Sequence, residues 1–254
     1  MTDLEGVSGV DNYDMIKPES ERFEESRLCL TGDINAAVAG AFDGGAKEVM
    51  VLDGHHKGEG NIVWEEIDRR ATKDTRPNRN WWSSLDGTFD ATFFVGAHAM
   101  AGTVNAFLDH TQSSLSWYDY YVNGRKFGEI GQWALCAGHF DVPLVMVAGD
   151  EAAVAEAYAF FDPVETAAVK RGVGRMSAVL FDLDEARARI RQAARRAMAL
   201  VGKAKPFTAT FPAEIILDVM RTEHADYHAK EPGVERVGPR RVRKIAATPL
   251  DILL

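Results

Sequence analysis

Cysteine is scarce. Cys29 and Cys136 are the only two in 254 residues, far apart and in no C-x-x-C pair. Two thiols are too few for a disulfide scaffold or a thiolate zinc knuckle, and they fit a reducing compartment, so a cytoplasmic location is expected. Long apolar runs are also missing. No stretch approaches the roughly 18–20 uninterrupted residues of a membrane helix. The opening MTDLEGVSGVD carries neither the basic region nor the apolar core of a signal peptide. Positive charge is in deficit, with 29 Lys+Arg against 38 Asp+Glu and a net charge of −9. A field of that sign repels phosphate backbones and anionic lipid, which argues against nucleic-acid and membrane partners. Internal repeats and low-complexity segments are lacking. What remains, 46% hydrophobic and 26% charged residues, is the balance of a globular chain. Its length allows roughly 70–75% of the unfolded surface to be buried.

Helix and strand patterns alternate through the first 150 residues. Glu19 to Phe42 places Phe23, Leu28, Leu30, Ile34, Ala37, Val38 and Phe42 at helical spacing, and Gly44-Gly45 closes the helix. The continuous apolar run Glu48 to Leu52, ended by Asp53-Gly54, predicts a strand of a parallel sheet buried on both faces. Asp90 to Val95 is a second such strand, ended by Gly96, and Val142 to Ala148 a third, ended by Gly149-Asp150. Between them, Asn123-Gly124 predicts a hairpin turn joining Tyr120–Val122 to Arg125–Phe127, since both residues tolerate positive φ. Glu129 to Ala137 reads as a helix capped by Gly138. Further on come helices over Glu151–Phe161 and Asp184–Val201, the second with arginines forming a solvated face, and a strand over Glu214–Val219. The fold class expected is α/β, a mainly parallel sheet flanked by helices, with a smaller α+β C-terminal part. The division expected is an α/β domain over 1–160 carrying the site and a C-terminal part over 161–254.

Ligands in parallel α/β sheets collect at the carboxyl ends of strands. The residues just past the apolar runs are Asp53-Gly54-His55-His56 and Gly96-Ala97-His98; the hairpin leads to Gly128-Glu129, and the chain opens with Asp3-Leu4-Glu5-Gly6. Imidazoles and carboxylates without thiolate suit zinc or manganese, and a carboxylate can bridge two such ions. Asp3 and Glu5, two apart, point to one side of an extended segment. Each residue alone has a plainer explanation. A histidine at a strand end is commonly a hydrogen-bonded structural group, and Glu129 at a helix start favours the helix dipole. Composition and spacing leave both readings open. His56 beside His55 points the other way along an extended segment, and His139 follows a helix end. His224 and His228 are four apart but lack the glutamate of an H-E-x-x-H motif. The one basic cluster, Arg236, Arg240, Arg241, Arg243 and Lys244, reads as a solvated strand or a subunit contact.

Several blocks together resemble the M55 family of D-aminopeptidases: Asp3 to Gly9, Asp53-Gly54-His55, Phe94 to Ala99, Asn123-Gly124 through Gly128 to Gly131, Asp141 to Asp150, and Thr166 to Lys170. They stand in the family's order from residue 3 to about 180. The resemblance implies zinc ligands at Asp3, Glu5, His55, His98 and Glu129, with Asp3 bridging two ions per chain. It also implies a catalytic histidine, here His110 in Leu108-Asp109-His110-Thr111, acting as proton carrier or as nucleophile. Lys170 is the candidate for contact with a substrate carboxylate or oxyanion. The activity implied is hydrolysis of the N-terminal peptide bond of short peptides with D-amino acids of the D-Ala type, by metal-activated water assisted by a histidine. A ring-shaped homo-oligomer is implied as well. Two alternatives from other classes stand beside it: a different metal-dependent amidohydrolase on the same scaffold, and a non-catalytic protein that binds a small amino compound.

The chain ends carry two further expectations. Asp3 is reached almost at once, where a strand of typically 5–6 residues should precede it, so Asp3 and Glu5 are expected to be poorly anchored. Pro249 to Leu254 reads as the opening of a helix that does not continue.

Overall fold

The computed structural model describes residues 1–56, 58, 60–75, 82 and 85–254. Along the chain follow α1 (Phe23–Asp43), β1 (Val49–Val51), β2 (Ala71–Lys73), β3 (Thr92–Ala97), the hairpin β4 (Trp117–Val122) and β5 (Arg125–Lys126), and α2 (Glu129–His139). Then come β6 (Leu144–Asp150), α3 (Glu151–Phe160), β7 (Glu165–Gly174), β8 (Ser177–Leu180) and α4 (Leu183–Ala197). The last elements are β9 (Ala213–Val219), α5 (Thr222–His228), β10 (Val234–Gly238) and β11 (Arg241–Ala246).

One sheet runs β3-β6-β7-β8, parallel as far as β7 and antiparallel at β8. All seven residues of β6 are buried, as its unbroken apolar run requires in a strand covered on both faces. β1 and β2 pair in parallel, and Met1 to Asp3 join them to this sheet. Thr2 N donates to Leu52 O at 3.0 Å, Asp3 N to Val95 O at 2.9 Å, and Val95 N to Met1 O at 3.0 Å. Three residues thus pair on both sides, and the expectation of a loose opening is corrected: Asp3 and Glu5 are each 4% exposed. At the other end, Pro249–Asp251 form one turn of 3-10 helix under a Thr248 capping box. Tyr120 Oη donates to Ile252 O at 2.5 Å, which ties that turn to β4.

The second sheet is antiparallel, in the order β10-β11-β9-β4-β5. Residues on both sides of position 160 contribute to each sheet or its core. Helix α2 lies between the two sheets' side chains: Ile130, Trp133, Ala134 and Leu135 share one apolar cluster with Phe94 and Val147 and with Tyr120, Ile215 and Leu217. The other face of the parallel sheet is covered by α1 and α4, where Val145, Met146 and Ala148 meet Ala186, Ile190 and Ala193. The basic cluster sits on β10 and β11 in exposed ion pairs, Arg241 with Asp218 and Arg243 with Glu214 among them.

Two local expectations differ from the structure. Gly138 lies inside α2, which runs on to His139, and glycine there serves packing instead of capping: a Cβ would sit 2.0 Å from Phe207 O. β1 is buried only at Val51, and Met50 is 39% exposed. β7 carries the Thr166 to Lys170 block and is held extended between β6 and β8.

Candidate metal centre

Every strand that leads into the site ends in a loop fixed by backbone contacts. Gly6 N donates to Gly96 O at 2.8 Å, which brings the opening loop against the end of β3. The approach admits no side chain: a Cβ on Gly96, which has φ +79, would lie 2.0 Å from Asp3 O. After β1, Asp53 accepts from the Asn61 side chain at 2.9 Å, and the same amide nitrogen donates to His55 O at 2.9 Å. Glu129 is the first residue of α2, and its Oε1 accepts from Gln112 N at 2.7 Å. Gln112 holds φ +61 to make that bond.

These loops converge two groups of side chains. Asp3, Glu5 and His55 form one, and His98, His110 and Glu129 the other; within each, the ligand-type atoms lie within 4.8 Å of one another. Asp3 faces both groups. Its Oδ1 is 2.9 Å from His55 Nδ1 and its Oδ2 is 3.3 Å from His98 Nε2. Glu5 Oε2 is 3.0 Å from His55 Nδ1. Glu129 Oε1 lies 3.5 Å from His98 Nε2 and 3.7 Å from His110 Nε2. The His98 and His110 rings stack, centroids 4.0 Å apart and planes 11° apart.

The orientation of the imidazoles suits a metal. His98 Nδ1 lies 3.1 Å from Ala99 O and His110 Nδ1 lies 2.8 Å from Leu108 O. A proton on Nδ1 donated to those carbonyls leaves each Nε2 with a free lone pair, the usual outer support of a ligating histidine. Two buried atoms, Glu5 Oε2 and His98 Nε2, make no hydrogen bond among the described residues although opposite charges stand close by. Groups aimed at a common point instead of at one another behave this way. Three carboxylates buried together, Asp3, Glu5 and Glu129, are costly without compensating positive charge. The imidazoles supply it in the protein's own charge balance. Burial works against the charged form of His55 and His98, but Glu5 and Asp3 around the first, and Glu129 and Asp3 around the second, raise both pKa values well above the ordinary range. Burial likewise opposes ionisation of Asp3, yet His55 and His98 hold its carboxyl well below the usual carboxylate range. A divalent cation would take over this role, so the donor set fits zinc: imidazole and carboxylate, no thiolate.

Lys170 is fully enclosed at the end of this sheet. Its Nζ donates to Glu5 O, Val7 O and Val10 O at 2.5, 2.9 and 2.7 Å, so all three ammonium protons are taken by backbone carbonyls. Burial pulls its pKa down to about 7, against Asp150 and Asp33, which raise it. Neither the sequence pattern nor the spacing pointed to Asn61, Gln112 or Glu156. Glu156 on α3 accepts from Met100 N at 2.7 Å, just past His98. These residues act through backbone atoms that no motif displays; only the position of Asn61 shortly after Asp53-Gly54-His55 hints at its part. Of the remaining histidines, His56 and His139 are exposed, and His228, at the end of α5, has Nδ1 3.4 Å from Glu231. Among the described residues, His224 and His228 belong to no group of three ligand-type side chains.

A parallel sheet whose carboxyl edge gathers two carboxylate–imidazole groups around one shared aspartate defines a metallohydrolase-type centre. Comparison with known proteins narrows the class. Residues 1–253 match the family model of peptidase M55, described as D-aminopeptidase. A D-aminopeptidase of Bacillus subtilis (strain 168) is 35% identical over 241 residues, covering 92% of this chain and 85% of the relative. Among solved structures, the Zn-dependent D-aminopeptidase DppA from Bacillus subtilis, described as a self-compartmentalizing protease, superposes with a TM-score of 0.92 at 29% identity. That match covers 99% of this chain and 92% of the other. The chain belongs to the peptidase M55 family of D-aminopeptidases, and so to the peptide hydrolases.

Proposed function

We propose that the chain is a dinuclear zinc aminopeptidase that removes the N-terminal residue of short peptides, with D-amino acids of the D-Ala type in that position. The observation that carries the reading is the placement of Asp3, whose two carboxylate oxygens face His55 and His98 at 2.9 and 3.3 Å. Asp3, Glu5 and His55 would hold one ion, and Asp3, His98 and Glu129 the other. Zinc bound there supplies Lewis acidity, polarising a peptide carbonyl and bringing the pKa of bound water to near 7. The chain's own residues do the rest. Glu129 is fixed by Gln112 N and keeps its carboxylate directed at His98 and His110. His110 has Nδ1 engaged by Leu108 O, which leaves Nε2 as the atom that accepts a proton and returns it to the leaving amine. The deep burial of Asp3, Glu5, His98 and Glu129 excludes bulk water from the charged groups, which strengthens their interactions.

One observation favours a second role for His110. Its Nε2 falls within the same compact group as His98 and Glu129, so it can serve as a ligand instead of a proton carrier.

Two further points belong to the proposal. A ring-shaped homo-oligomer is supported by the self-compartmentalizing neighbour and by large exposed apolar side chains in the segments that follow His98 and His110 along the chain, Val104 at 83% and Leu115 at 77%. A cytoplasmic location is supported by the two free, buried cysteines.

The test is zinc content per chain, by mass spectrometry of digested protein purified without added metal or chelator. Close to two zinc ions is the expected result, and near zero would overturn the dinuclear site. His98→Ala is expected to lower zinc content and cut hydrolysis of D-Ala-D-Ala about a thousandfold, on the several kcal/mol that a metal contributes. Retention of both ions in His110→Ala with activity lost assigns it the proton, and loss of an ion assigns it a ligand. A panel of D-Ala dipeptides, L-Ala dipeptides and acyl amides separates the peptidase from another amidohydrolase, and binding without turnover would make the chain a non-catalytic receptor.

A further inference from the structure

We infer that Lys170 is a positioning residue: its ammonium holds the loop of residues 5–10 in the shape that presents Glu5 to the site, and it does not touch the substrate. The inference rests on the dinuclear reading only in taking Asp3, Glu5 and His55 as one ion's ligands.

The geometry is specific to lysine. Three carbonyls from one loop, Glu5 O, Val7 O and Val10 O, converge on Nζ. An ammonium carries three donors and no acceptor, so the match is complete and no proton is left for a bound molecule. The loop is also held from outside, by Gly6 N on Gly96 O and by the buried side chains of Val7 and Val10. Its internal backbone bonds are long, Val7 N to Leu4 O at 3.3 Å and Val10 N to Val7 O at 3.4 Å, and Gly6 and Gly9 offer no side chains to pack.

The ammonium is balanced from two directions by buried carboxylates, and each of them also holds a site loop. Asp33 on α1 accepts from Ser8 N at 2.8 Å and from Ser8 Oγ, gripping the same loop from the other side. Asp150, at the end of β6, accepts from Phe107 N at 3.0 Å in the loop that leads to His110. Phe107 in turn lies under the Lys170 ammonium, 4.5 Å from Nζ to the ring centroid. One buried cation therefore fixes the loop that begins at Glu5, while its counter-charge Asp150 fixes the loop that leads to His110. Groups that orient ligands from behind typically change metal affinity by roughly 10–100-fold when removed.

The test uses Lys170→Met, which keeps the length and loses the donors. Zinc titration against a competing chelator is expected to show one ion held as in wild type and the other weakened roughly 10–100-fold. Amide hydrogen exchange on the metal-free proteins is expected to quicken at residues 6–10 and to stay unchanged in β3 and β6. Unaltered zinc affinity and exchange, with KM alone raised, would overturn the inference and make Lys170 a substrate contact. The exchange comparison needs no metal, so it decides the question even if wild type holds no zinc and the dinuclear reading fails. If Lys170→Met does not fold, wild-type protein labelled with 15N-lysine carries the test. One ammonium signal protected from exchange and unmoved by D-alanine is expected, and a shift of that signal on adding D-alanine would overturn the inference.

Discussion

Glu156 is a carboxylate in an unusual position, buried beside the His98 loop with Oε2 bonded to Met100 N and Oε1 without a partner among the described residues. Burial pushes its carboxyl up to about 7, against the bond from Met100 N and the attraction of His98. The sign of the linkage follows. Between about 4.5 and 7 the folded chain keeps a proton that the unfolded chain releases, so stability falls as pH rises through that interval. The loss from this one group is on the order of 3 kcal/mol. Chelator-treated Glu156→Gln is expected to unfold in urea with a flatter dependence on pH than wild type and to be the more stable of the two at pH 8. Parallel pH profiles for the two proteins would show that Glu156 is already ionised in the fold. Site residues of this kind combine poorly with isolated stability, and the site tolerates them because each has a specific partner: Asp33 with Ser8, Asp53 with Asn61, Glu129 with Gln112.

Among the elements, the end of β6 does most to connect fold and site. Asp150 closes the strand and caps α3, accepting from Ala153 N at 2.8 Å while also holding Phe107 N. The residue is wholly buried, so truncating it strands both donors. Asp150→Ala is expected to cost about 2 kcal/mol, a cap and a buried hydrogen bond together. In a chain of this size that is a fall in Tm of roughly 4–8 °C, readable by calorimetry. Helix α2 offers a contrast. It is buried along Glu129–Gly138, apolar on every side except for Glu129 and Gln132, and its position between two sheets is what carries Glu129 to the site. Gln112 and Gln132 join across the start of this helix, amide to amide at 2.9 Å, which ties the positive-φ turn of the His110 loop to the same scaffold.

At the scale of the whole molecule, two sheets share one core through α2, and the site lies where the parallel sheet's loops meet. Val104, Leu115 and Tyr118 are all more than half exposed. A contact between copies of the chain would cover such side chains. Sedimentation velocity is expected to give a species several times the 28.0 kDa chain. Charged replacements, Val104→Glu with Leu115→Glu, are expected to shift it to smaller species. A monomer in the unaltered protein would overturn the ring proposal.

Much of this architecture is written in local pattern. The apolar runs at Thr92–Ala97 and Leu144–Asp150 are strands because continuous hydrophobic segments bounded by glycine have to be covered on both faces. Asn123-Gly124 is a turn because both residues accept positive φ, at 49° and 78°. The resemblance of the short blocks around Asp3, His55, His98 and Glu129 to one family adds the expected site. Elsewhere local pattern is silent. β7 has no continuous or alternating apolar pattern and is held as a strand between β6 and β8. Met1 to Asp3 are too few to form a strand, and they are held extended by bridges at Thr2 to Asp53 and Val95 on either side. The partnerships of Lys170 with three carbonyls, Gln112 N with Glu129, and Asp150 with Phe107 N join residues whose side chains or backbone groups meet only after folding. A chain's order of residues specifies which segments want to be buried and which groups carry charge. Distances between groups far apart along it, and hence which carboxylate faces which imidazole, come from the packing of sheets and helices, because only that packing brings the ends of separate strands to one edge.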